Sequence, residues 1–145
     1  MADVARGARL TMPAFSNALV TVYSPDIVRA ARFYGELLGL AETYRFPAAG
    51  APEHVEYAVA GMTLAVSSPA GLASHGMPAP TPGHSFEIGL RADDVDTLIA
   101  ELRAKGVTVL REPFDSPAGN RVAYIADPDG TWIQLYHRRT GAAGG

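Results

Sequence analysis

The feature that most constrains this chain is a unit used twice. Ser24–Leu40 reads SPDIVRAARFYGELLGL and residues 92–107 read ADDVDTLIAELRAKGV. Each follows a strand-like run and combines an acid-bearing helix start, an apolar stripe and a glycine exit. Ile27, Ala30, Ala31, Tyr34, Leu37 and Leu38 recur at helical spacing before Gly39, as do Val95, Leu98, Ile99 and Leu102 before Gly106. Ser24 with Pro25 suits an N-cap and first helical position, and Asp93 or Asp94 can cap the second helix.

The repetition extends beyond the helices. A shift of about 68 residues lays SNALVTVYS over HSFEIGLRA, and one of about 69 lays GMTLAV over GTWIQL. Identity is weak in both comparisons; what recurs is strand, helix and a turn-linked meander ending in a strand. With FYGELLGL in the first half and IADPDGTWIQL closing the second, the chain resembles the vicinal oxygen chelate superfamily. That superfamily includes glyoxalase I, extradiol dioxygenases and bleomycin resistance proteins. The resemblance implies an α+β fold: two tandem βαβββ modules forming a curved mixed sheet, helices on the outer face and a concave ligand cavity. It covers residues 16–137 as one domain, with modules at 16–68 and 84–137 joined by a crossover at 69–83. Residues 1–15 read as a disordered lead, in which Met12 is an alternative start, and residues 138–145 as a flexible tail.

Composition narrows the function classes. A chain of 145 residues, 48% hydrophobic and 19% charged, has enough apolar material for one core shared by two small halves. A net charge of -3 gives no electrostatic reason to expect nucleic acid or an anionic membrane. There is no cysteine, hence no disulfide, thiol nucleophile or thiolate metal site. No apolar run approaches the roughly 18 residues of a membrane span, and residues 1–11 lack a secretory core, so a cytoplasmic protein is expected.

Along the chain, 18–23, 54–60, 62–67, 85–91, 108–112, 121–126 and 131–137 read as strands. Residues 46–53 form a Pro/Gly loop able to rim a cavity. Asp127-Pro128-Asp129-Gly130 is a tight turn, proline fixing φ and glycine supplying positive φ.

Strand alternation separates two faces. Val20, Val22, Leu64, Val66, Phe86, Ile88, Leu90, Ile133 and Leu135 form an apolar set expected under the helices. The opposite parity, Leu19, Thr21, Tyr23, Thr63, Ala65, Ser67, Glu87, Gly89, Arg91, Trp132, Gln134 and Tyr136, is the expected cavity lining. Metal-dependent members of the resembled family place one ligand on each of four strands. Transfer by local motif gives Leu19, Ala65, Glu87 and Gln134, of which only the last two could bind a metal. His54, His75, His84 and His137 offer no HxxxH or HExxH spacing and read as rim or surface residues. The serines lack a nucleophile-elbow context, and Asp127 and Asp129 read as turn residues. Glu87 is the carboxylate that parity places inside, where burial would raise its pKa and suit it to act as a base or a hydrogen-bond acceptor.

The expected function is metal-free binding of a hydrophobic or aromatic small molecule such as an antibiotic. Trp132, Tyr23, Tyr136, Tyr57 and Phe46 would give stacking area, and Glu87, Gln134, Thr21, Thr63 and Arg91 would fix orientation. The alternative is a lyase, isomerase or dioxygenase of the same superfamily, using Glu87 as base or one divalent ion held by Glu87, Gln134 and an unassigned third ligand. The resemblance also implies a homodimer.

Overall fold

Both units build the same object. The computed structural model describes residues 18–141 except 71, 72, 74, 82 and 85. The first module runs β1 (Leu19–Tyr23), α1 (Ile27–Arg32) with a π-helical turn at Phe33–Leu37, β2 (Ala41–Phe46), β3 (His54–Val59) and β4 (Met62–Ser67). The second runs β5 (Ile88–Arg91), α2 (Val95–Ala104), β6 (Thr108–Asp115), β7 (Asn120–Ala126) and β8 (Trp132–Arg138). Hydrogen bonding resolves two four-stranded mixed sheets, ordered β1-β4-β3-β2 and β5-β8-β7-β6, with the first strand parallel to the last in each. This is the expected α+β architecture of two βαβββ modules. The lead at 1–15, with Met12, and residues 142–145 lie outside the described residues. No described helix is long and apolar enough to cross a membrane.

One apolar cluster is shared by the modules. Val22, Val55, Tyr57, Leu64 and Val66 from the first sheet meet Ile27, Ala30, Phe33 and Tyr34; Ile88, Ile125, Ile133 and Leu135 meet Val95, Ile99 and Leu102. Burying each large side chain here stabilises the fold by about 1.5–3 kcal/mol. Val20 and Phe86 depart from the expected core set and are exposed. Val20 lies near the start of edge strand β1, and Phe86 precedes β5, which starts at Ile88 rather than at 85.

Local chemistry explains the helix ends. Asp26, not Ser24, caps α1, accepting from Arg29 N at 3.1 Å. Ser24 is drawn into the sheet, its amide donating to Ser67 O and its hydroxyl accepting from Asp26 N. Asp94 caps α2 through Thr97 N and Oγ1, and Val95 N also donates to His137 Nδ1 at 3.0 Å, so His137 is a helix-capping residue. After Arg32 the helix widens, and Leu38 N donates to Phe33 O. Tyr57 packs against this turn, its ring 3.3 Å from where a Cβ on Gly35 would stand, and its hydroxyl donates to Ala31 O. β2, Ala41–Phe46, is a strand not among those expected, ordered by pairing with β3, and β6 exceeds its expected bounds, continuing past Pro113 to Asp115 through register shifts.

The modules are latched at the Asp127 turn. Asp127 is buried; its Oδ1 accepts from Asp129 N and Thr131 N, and its Oδ2 accepts from Tyr34 Oη of the other module at 2.8 Å. Arg29 adds a hydrogen bond to Pro128 O and an ion pair with Asp129. Burial first, then the Asp127 carboxylate, push the Tyr34 hydroxyl far above its ordinary range. Burial also pushes Tyr57 up to about 12, with Glu42 adding to the shift.

Two outcomes follow for stability. Tyr34→Phe removes one partner of a buried carboxylate and should cost about 1–3 kcal/mol, read from urea midpoints. Unfolded tyrosines lose their protons near pH ~10, before the folded ones do, so the folded form is disfavoured as pH rises. The contribution is complete below about pH 10 and is lost through pH 12. Urea midpoints should therefore fall steeply from pH 10 upward in the native sequence and less steeply in Tyr57→Phe.

Candidate functional site

The sheet face away from the helices is read across strands by register. On the first sheet two rows run Thr21, Ala65, Glu56, Tyr44 and Tyr23, Ser67, His54, Phe46; Leu19 and Thr63 start a third. On the second, Gly89, Gln134, Tyr124 and Arg111 form one row and Arg91, Tyr136, Val122 and Phe114 the next, with Trp132 beside Ala126. Every expected lining residue within the strands lies on this face except Tyr57. Tyr57 pairs with Leu64 and is buried in the core, 1% exposed, because β3 presents His54, Glu56 and Ala58 to this face instead.

Each sheet carries one polar cluster. On the second, Gln134 Nε2 donates to Glu87 Oε1 at 3.1 Å and to Tyr124 Oη at 2.8 Å. Glu87 is exposed, contrary to the burial expected of it, because it stands just before β5. On the first sheet, His54 bridges Ser67 Oγ at 2.5 Å through Nδ1 and Glu56 Oε1 at 3.0 Å through Nε2. Tyr44 stands edge-on to the imidazole at 6.0 Å. Phe46 ends β2 opposite His54, rather than opening a loop. Glu56, His54 and Tyr124 were not among the expected lining. Counting parity outward from the Val59–Met62 and Ala126–Trp132 pairs would have found them.

Two clefts open along the seam between modules. One, about 520 Å³, is lined by Thr21, Tyr23, Pro25, Pro80, His84 and Phe86 with the 129–131 turn. His84, one of these lining residues, is stacked on Trp132, ring centroids 4.3 Å apart and planes 11° from parallel, so the indole backs the imidazole that faces the cleft. At the other end a groove of about 570 Å³ lies between Leu37, Leu40 and Met62 of the first module and Leu98, Arg91 and Tyr136 of the second. Both volumes suit drug-sized ligands.

The positions implied for a metal do not form a donor set. Leu19 and Ala65 carry no donor atom, and Glu87 and Gln134 are bonded to each other. Among the described residues no three His, Asp or Glu side chains converge. A divalent ion needs three or four protein donors to compete with water, so these residues do not fit one.

Comparisons with known proteins agree with this architecture. A crystal structure of a glyoxalase/bleomycin resistance protein/dioxygenase from Nocardioides is 20% identical, with a TM-score of 0.75 over 99% of this chain and 97% of that one. A glyoxalase-related enzyme from Fulvimarina pelagi is 29% identical, with a TM-score of 0.70 over 83% and 86%. A glyoxalase/bleomycin resistance protein from Streptomyces sp. CB03234 is 31% identical, with a TM-score of 0.63 over 84% and 100%. The family model that matches residues 18–135 is that of the Glyoxalase/Bleomycin resistance protein/Dioxygenase superfamily, and the chain belongs to it.

Proposed function

We propose that this protein binds and sequesters a hydrophobic or aromatic small molecule, an antibiotic being one such class, without a metal ion. The observation that carries this is the chemistry of the helix-free face. Two of its four implied metal positions are Leu19 and Ala65, while the Glu87–Gln134–Tyr124 chain supplies hydrogen-bonding groups beside aromatic area. The cleft's His84, stacked on Trp132, and Tyr23, also among the lining residues, suit a planar ligand, which gains from offset stacking and from leaving water. Glu87, exposed and acidic, is placed to accept from a cationic or hydroxylated group. A homodimer, as the family resemblance implies, and a cytoplasmic location, as expected from the sequence, belong to the same reading.

A second reading, a Glu87-based lyase, isomerase or dioxygenase, draws support from the Fulvimarina protein, described as a glyoxalase-related enzyme. The two readings part on turnover.

Trp132 is the chain's single tryptophan and is stacked on the cleft's His84, so its emission reports on binding there. Titration with a panel of planar aromatic antibiotics should quench or shift that emission with one site per chain, and the bound compound should be recovered unchanged. Trp132→Ala should weaken binding by about two- to tenfold, the loss of one stacking partner worth about 0.5–1.5 kcal/mol. Glu87→Gln should weaken cationic members and leave neutral ones unaffected. Chemical conversion of the bound compound would favour the second reading, and no binding by any member would refute the first.

A further inference from the structure

The His54 cluster has chemistry that ligand binding does not use. Glu56 is a carboxylate and, when ionised, can only accept hydrogen bonds, so a neutral His54 must place its proton on Nε2. Nδ1 is then bare and accepts from the Ser67 hydroxyl, 2.5 Å away. The proton of Ser67 therefore points at a base whose far side is held by an anion, the logic of serine triads on unrelated folds with the two ring nitrogens exchanged. Backbone register builds it: His54 and Ser67 are direct cross-strand partners, and Glu56 follows two residues along the same face. His54 and Glu56 keep 28% and 24% of their side-chain surface exposed, so the cluster is reachable. Its surroundings are specific too. Ala65, fully buried, is the small partner beside Glu56, and Tyr23, Tyr44 and Phe46 occupy the neighbouring positions of the two rows.

We propose that Ser67, His54 and Glu56 form an acyl-accepting serine site that takes esters of small aromatic or apolar acids. In the forward step Ser67 Oγ bonds to the ester carbonyl carbon and the bond to the alcohol oxygen breaks. The Ser67 proton passes to His54 Nδ1 and then to the departing alcohol. Water attacks the acyl-serine by the same route in reverse, releasing the acid and restoring Ser67. Glu56 is a positioning residue, fixing the imidazole tautomer. The proposal uses none of Glu87, Gln134 or Trp132 and stands apart from the binding reading.

The probe is an alkyl fluorophosphonate, in which attack by Ser67 Oγ forms the O–P bond, expels fluoride and sends the proton to His54. One adduct per chain, mapped to Ser67 by peptide mass spectrometry, is expected, with a matching burst of p-nitrophenol from p-nitrophenyl acetate. Ser67→Ala should abolish both, and His54→Gln should slow labelling about 100-fold or more, the range of general-base contributions. Ser67→Cys guards against a misfolded alanine variant. Because the chain has no cysteine, that thiol is unique and should react with iodoacetamide faster than the thiol of Ser116→Cys. His54→Gln should remove the difference. Absence of an adduct, an adduct or burst that persists in Ser67→Ala, or equal thiol reactivity at the two positions would overturn the proposal.

Discussion

The hydrogen bond from Tyr34 to Asp127 fixes how the two modules meet. The sheets are bonded as separate ladders, so among the described residues the seam is held by shared apolar packing and by this latch with its Arg29 companions. Asp127 serves both sides at once. Its other oxygen organises the turn that starts β8, so the same carboxylate that receives Tyr34 also sets where Trp132 and Gln134 stand. Pseudo-symmetry is broken here. In the second helix, Leu102 follows its cap Asp94 at the same interval as Tyr34 follows Asp26, and the matching turn at Ala58–Gly61 has no carboxylate. That junction is left as an apolar groove of about 570 Å³. One end of the seam is latched and the other is open.

Much of this was legible because local chemistry and tertiary packing agree. The paired helical stripes, the Asp94 cap, the glycine exits and the Asp-Pro-Asp-Gly turn each state their own conformation, and alternation in β4 and β8 separates the buried from the available face. Failures came where a residue's setting depends on a distant strand. Tyr57 looks like a binding aromatic until register pairs it with Leu64, and then it belongs to the core beside Gly35. Ser24 looks like a cap until its amide is claimed by Ser67. The π-turn at Phe33–Leu37 leaves no signature in a stripe read at ordinary helical spacing. The polar clusters were hidden for the same reason: His54 and Ser67 are distant in sequence and become partners only through the hairpin.

The face that results separates two chemistries. On the second sheet, carboxylate, amide and phenol are tied in sequence, donors and acceptors held in place by one another. On the first, an imidazole held between an acid and a hydroxyl can move a proton. Neither needs an ion, and the side chains at the implied metal positions are poorly matched to one. At two of the positions implied for a metal, Leu19 and Ala65, the side chains are hydrocarbon.

The most direct test of metal-free action is the metal content of the untagged protein, measured by elemental mass spectrometry after purification without chelators. The account predicts far less than one equivalent per chain of nickel, zinc, iron or manganese. About one equivalent, retained through gel filtration, would contradict it and return Glu87 and Gln134 to the role of ligands.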